Sequence, residues 1–169
     1  KLMQEESEYR KSRYGVITLS LEKIMKHHSC FKEILLLISL LGSQSIPKDL
    51  LDGYKGNIIA DDFIYHLKKY SLITYDDSSD TTPVLSIHSS TQEICLTYLT
   101  KIFHLKSDHP LLHSISNLLD KYMVNAIHQE DFFRMHLLAT HCEVFLSHSP
   151  LLSERTKGIL GCDLGGIYW

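Results

Sequence analysis

The stretch "LITYDDSSDTTPVLSIH", Leu72 to His88, decides the fold. Its ends, "LITY" and "VLSIH", are short β-prone runs, and the polar "DDSSDTTP" between them is a loop. The pattern predicts a two-stranded hairpin. Elsewhere in the chain the apolar residues fall at helical intervals.

Upstream, Ile17, Leu21, Ile24 and Met25 fall at helical spacing. Ser29 is then a suitable N-cap for a second helix that runs to Leu41, with Gly42 as its stop. That helix is apolar nearly all round at its end, which predicts a place at the centre of a bundle. Pro47 opens a short helix, and Gly53 is expected to end it. "ADDFIYHLKKYSLI" reads as the next helix, with Asp61 or Asp62 near its start, Lys68 and Lys69 near its end, and Phe63, Leu67 and Tyr70 along one face.

Downstream of the hairpin, Ser90 and Glu93 have the spacing of a capping box, opening a helix from about Thr91 to Leu105. Ile94, Tyr98 and Ile102 form one ladder on it; Cys95, Leu99 and Phe103 form the next, giving a wide buried stripe. Pro110 lies in the first turn of a further helix carrying Leu111, Ile115, Leu118, Leu119, Tyr122 and Ala126. Another runs from about Asp131 to Ser147, where "SHSP" breaks it, and a last one starts near Ser153 and carries Leu160, Leu164, Ile167 and Tyr168. The predicted class is therefore mainly α. Residues 1–15 are a linker or frayed helix, 16–105 a winged-helix module with a short two-stranded hairpin, and 106–169 a helical connector into a repeat or bundle.

Composition narrows the function. The 169 residues are 44% apolar, and the formal net charge is −3 with 11 histidines counted neutral. That balance gives no basic footprint for nucleic acid or anionic lipid. The four cysteines, Cys30, Cys95, Cys142 and Cys162, are scattered with no CxxC, which suits reduced thiols in the cytoplasm. "ILLLISLL", Ile34 to Leu41, is too short to span a bilayer and too internal to be a signal peptide. The chain does not begin with Met and ends on "GGIYW", so it reads as a segment of a longer protein.

Winged helices often place their third helix in the DNA major groove. Here that helix carries Asp61 and Asp62 near its start, and the wing carries Asp76, Asp77 and Asp80. Those carboxylates repel phosphates, which argues against nucleic acid. His104, His109 and His113 form one histidine cluster, and His136, His141, Cys142 and His148 another. Pro110 puts His109 at a helix boundary, and a spacing of five turns His136 and His141 apart, so scattered solvated histidines are expected rather than a metal site. No GxSxG, HExxH or GxxxxGK[ST] occurs, so no catalytic residues are assigned and the chain is not expected to be an enzyme by itself. Gly161, Gly165 and Gly166 fall in a helical pattern, where small residues would let another helix pack closely.

Ser20-Leu21-Glu22, Ile46-Pro47, Tyr70-Ser71-Leu72-Ile73, and Ile87-His88 followed by Gln92 occur in a fixed order. Over roughly residues 16–105 this series resembles the winged-helix segment of NB-ARC-type STAND nucleoside triphosphatases. Leu164-Gly165 followed by Tyr168 resembles the first helix of a tetratricopeptide repeat (TPR), which such proteins commonly carry next. The resemblance implies a regulatory segment that works with an upstream nucleotide-binding domain in cis and with protein partners on helical repeats. ADP or ATP would be held by the parent, with no cofactor in this segment and no membrane contact.

By the same resemblance, His88 occupies the wing-to-helix position whose imidazole contacts the β-phosphate of bound ADP. An imidazole N–H donates well to a phosphate oxygen. The sequence departs from the plant-type "MHD" motif, with Ile87 for Met and Ser89 for Asp. Ser89 can still cap the helix, but a carboxylate beside the imidazole is missing. The plainer alternative is that His88 bonds only to backbone at a corner. Two other functional readings stand beside the regulatory one: a helical protein-interaction scaffold with no nucleotide role, and a winged-helix DNA-binding regulator.

Overall fold

The computed structural model describes residues 2–76, 82–107 and 109–168, with the backbone alone for 2–11. Asp77 and Asp80 of the expected wing lie outside these residues. The fold is mainly helical with one small antiparallel sheet. Helix α1 spans Leu2–Met25, including the stretch read as linker or frayed helix. It buries Ile17, Leu21 and Ile24 and is followed by α2, Phe31–Leu40.

Helix α2 is the centre of the core. Phe31 and every residue from Ile34 to Leu41 are buried, as the all-round apolar run predicts. Its cap differs from expectation. Cys30, not Ser29, is the N-cap, and the Cys30 N–H donates to His28 Nδ1 at 3.1 Å, so an imidazole stabilises the entry to the helix.

Strand β1 (Ile46–Pro47) leads into α3 (Lys48–Lys55) and α4 (Asn57–Lys69). Gly53 does not end α3; Gly56 does, at φ 90°, a conformation that only glycine adopts without strain. Gly53 lies inside the helix because Tyr122 covers it: a Cβ there would meet the Tyr122 hydroxyl oxygen at 2.3 Å. Asp61 and Asp62 fall beyond the first turn of α4, and Asp61 pairs with Lys48 at 3.0 Å.

Strands β2 (Ile73–Asp76) and β3 (Val84–Ile87) form the expected hairpin. The hairpin is not alone. Ile46–Pro47 pairs with the free edge of β3, giving a three-stranded sheet of order β1-β3-β2. A two-residue strand containing proline has too little length to announce itself in sequence; Pro47 is tolerated because this is an edge.

Helix α5 spans Ser89–Phe103 and ends at His104, whose φ is 49°. Cys95 and Leu99 are buried, but Ile102 is exposed, so the buried stripe is narrower than its two apolar ladders suggested. Helices α6 (Pro110–His128), α7 (Phe132–Ser147) and α8 (Glu154–Tyr168) pack on one another, and α6 also packs on α3. A Cβ added at Gly161 or Gly165 would meet nothing within 4 Å, so no helix among the described residues packs closely on these two glycines.

Candidate functional site

The candidate site is the corner between β3 and α5, built from Ile87 outward. Ile87 is buried and holds the end of β3 in the core. His88 follows with extended backbone and an exposed side chain, and it is itself the N-cap of α5. The capping box expected at Ser90 and Glu93 does not form. The His88 Nδ1 accepts from the Ser90 N–H at 3.3 Å and lies 2.8 Å from the Ser90 hydroxyl.

Nδ1 facing a backbone N–H is an acceptor, so the neutral imidazole carries its proton on Nε2. Ser90 thus orients the ring where the missing carboxylate at Ser89 cannot. Gln92, one turn into α5, faces inward instead: its Nε2 donates to the carbonyls of Ile38 at 2.9 Å and Leu41 at 2.6 Å, satisfying free acceptors at the end of α2.

A groove of about 560 Å³ runs between α1 and α5 beside this corner, lined by Arg13, Tyr14, Ser90, Glu93, Ile94 and Thr97. A second, of about 430 Å³, lies on the other flank of α1 and includes Arg13, Ile17, Tyr70, Ser71, Leu72 and Thr91. Arg13 borders both. It escaped sequence reasoning because it falls in a stretch with no apolar period.

The histidines are spread out. His104 ends α5, and His109 N-caps α6, accepting from the Leu111 N–H at 3.2 Å. His136 is exposed and His113 half-buried. The expectation of solvated histidines in these two clusters fails at His141. His141 is fully buried, and His66 is buried with its ring stacked on His27 at 3.8 Å. Burial lowers the pKa of both; at His66 the neighbouring His27 adds to this and Asp62 opposes it. Among the described residues no group of three or more His, Cys, Asp or Glu side chains is placed to hold a metal ion. The thiols of Cys95 and Cys142 are pushed up to about 12 by burial, which makes them poor nucleophiles. No helix among the described residues is long and apolar enough to cross a membrane.

Set against known proteins, the chain finds no matching family model, no matching curated protein and no matching solved structure.

Proposed function

We propose that this chain is a non-catalytic regulatory segment of a STAND-type, NB-ARC-like signalling ATPase, a winged helix followed by a helical connector into TPR-like repeats. Its task is to couple the nucleotide state of an upstream domain to a helical sensor region. The order α2-β1-α3-α4-β2-β3, with β3 between β1 and β2, supports the winged-helix part. So does the position of Ile46-Pro47, the "IP" of the motif series, as the first strand.

The observation that carries the reading is His88. Its ring is exposed and is held by Ser90, and in the tautomer in which Nδ1 accepts from the Ser90 N–H, Nε2–H is left to donate to a ligand. In the closed parent that N–H would bond to the ADP β-phosphate, and exchange of the nucleotide would release the corner. The segment alone, without GxxxxGK[ST], neither holds nor hydrolyses ATP; micromolar ADP affinity in this chain would overturn that. The test is native mass spectrometry of the intact parent, purified without added nucleotide. One ADP per chain, lost in His88→Ala, is the expected result. A folded parent carrying no nucleotide would reduce His88 to a corner residue.

One observation favours a second reading, the interaction scaffold. Phe132 and Phe133, at the head of α7, are 74% and 65% exposed. Under that reading the parent carries no nucleotide, and Phe132→Ser/Phe133→Ser abolishes partner binding while the fold is kept.

A further inference from the structure

The turn between α2 and β1, Leu41 to Ser45, is where three distant parts of the chain meet. From α5, Gln92 donates to the Leu41 carbonyl. From α7, His141 takes two contacts: its Nδ1 accepts from the Gly42 N–H at 3.1 Å, and its Nε2 donates to the Ser45 carbonyl at 3.1 Å. From β3, the Ile87 N–H donates to the Ser43 carbonyl at 2.8 Å, and the Ser45 N–H donates to the Ser86 hydroxyl at 3.0 Å. The residue after Ile87 is His88. The turn is strained for this purpose, with Ser45 held at φ 55°.

The geometry points to His141 as a positioning residue that sets, through the Leu41–Ser45 turn, how firmly the His88 corner is held, so that a displacement of α7 is felt at His88. Three observations converge. The imidazole is fully buried, yet both nitrogens are satisfied by backbone of one turn. The turn is shaped to it: a Cβ at Gly42 would stand 3.0 Å from His141 Nδ1 and 3.5 Å from its Cε1. The same five-residue turn then gives the Ser43 carbonyl and the Ser45 amide to β3 beside the corner.

The latch is also proton-sensitive. A protonated ring would aim an N–H at the Gly42 N–H, inside the core. The turn and β3 contain no ionisable side chain to compensate the charge. On α7 itself, Glu143 is taken by the Tyr168 hydroxyl, and Cys142 lies against Met123. Burial and the Ser45 carbonyl are the two influences acting on the ring, burial the larger.

The importance of this coupling for signalling rests on the nucleotide reading; the coupling itself does not, and it is measured without nucleotide. Amide exchange is followed residue by residue in this chain for wild type, His141→Phe, His141→Asn and Gly42→Ala. In His141→Phe the Ile87 amide is expected to exchange about tenfold faster, as for one lost hydrogen bond, while interior amides of α6 keep their protection. His141→Asn, whose amide oxygen can still accept from Gly42, recovers part of the protection; Gly42→Ala repeats the loss. Wild type loses Ile87 protection selectively between pH 7.5 and pH 5.5, and His141→Phe does not. Unchanged Ile87 protection in a folded variant, or a uniform loss at every amide, overturns the proposal. Should His141→Phe not fold, Gly42→Ala and the wild-type pH step decide by the same criterion. Selective loss at Ile87 combined with a nucleotide-free parent keeps the coupling and sinks the nucleotide role.

Discussion

The Gly42 N–H donates to His141 Nδ1 across 99 residues of sequence, at 3.1 Å. Glycine suits that approach, since a side-chain carbon would stand 3.0 Å from the ring nitrogen. Gly42→Ala therefore displaces the ring by a few tenths of an ångström relative to its two backbone partners. The expected cost is about 1–3 kcal/mol, the usual range for overpacking a filled core, read from denaturant unfolding. A cost near zero would mean that the turn yields freely around the ring.

His141 also fixes a direction for pH. Burial, opposed by the Ser45 carbonyl, lowers its folded pKa from the ordinary 6.5. The unfolded chain then binds more protons between the two values, so stability is fully present above the unfolded pKa and drains away as pH falls toward the folded one. Thermal unfolding of wild type and His141→Phe should converge as pH falls from 7.5 to 5.5. His66 and His148 shift in the same direction, and the wild-type-minus-variant difference removes their share.

Much of the fold was legible because its signals are local. The all-apolar end of α2, the proline at the start of α6 and the two β-prone runs of β2 and β3 each act through neighbours in sequence. What escaped depends on partners far away. Gly53 reads as a stop in "LLDGYK", yet it is a helical residue whose missing Cβ makes room for Tyr122, and no local signal contains Tyr122. Ser90 with Glu93 reads as a capping box, but His88 offers a ring nitrogen two residues from the Ser90 N–H and takes the cap first. His88 was singled out through family resemblance. Arg13 and His141 were not found as site residues, because burial and clefts are tertiary.

Gly53 gives a second prediction of the same kind. The Tyr122 hydroxyl donates to the Asp49 carbonyl, and the Asp49 carboxylate pairs with Arg134, so α3 is clamped to α6 and α7 over this glycine. A Cβ at Gly53 would meet the hydroxyl oxygen at 2.3 Å and ring carbons at 2.9 and 3.0 Å. Gly53→Ala should cost about 1–3 kcal/mol. Because the hydroxyl is the closest atom, Tyr122→Phe should cost less in the Gly53→Ala background than in wild type. Strict additivity in that double-mutant cycle would count against the contact.

The glycines of α8 should behave oppositely. Gly161 and Gly165 are helical, and added Cβ atoms there meet open space. Alanine at either site should stabilise this chain by about 0.5–1 kcal/mol, the ordinary difference in helix propensity. Gly56→Ala, at φ 90°, should destabilise by a similar amount despite equally open surroundings. Comparing the three melting temperatures separates backbone strain from packing. A loss of stability at Gly161→Ala would reveal a neighbour that α8 requires.

Asp163 on α8 and Asp120 on α6 place two carboxyl groups within hydrogen-bonding reach of one another, and Asp163 Oδ2 is buried with no hydrogen-bond partner among the described residues. Two charges cannot share that space cheaply, so one proton is held to a higher pH than an ordinary carboxyl would keep it. Burial, the hydrogen bond to Asp120 and its charge together push the Asp163 carboxyl up to about 6. The sign follows from the raised value. Below the unfolded pKa near 3.8 both states are protonated and the pair costs nothing; as pH rises from there to about 6 the folded state loses stability, and above that the loss is constant. Because Asp163 is only half-buried, water screens part of the penalty, leaving on the order of 1 kcal/mol. Asp163→Asn keeps a donor toward Asp120 and removes the repulsion. It should raise the melting temperature at pH 7.5 and match wild type at pH 4, where neither chain carries the second charge. A gap that did not change with pH would mean that the two carboxyls do not share a proton, and that α8 is held on α6 by Leu160 and its apolar neighbours alone.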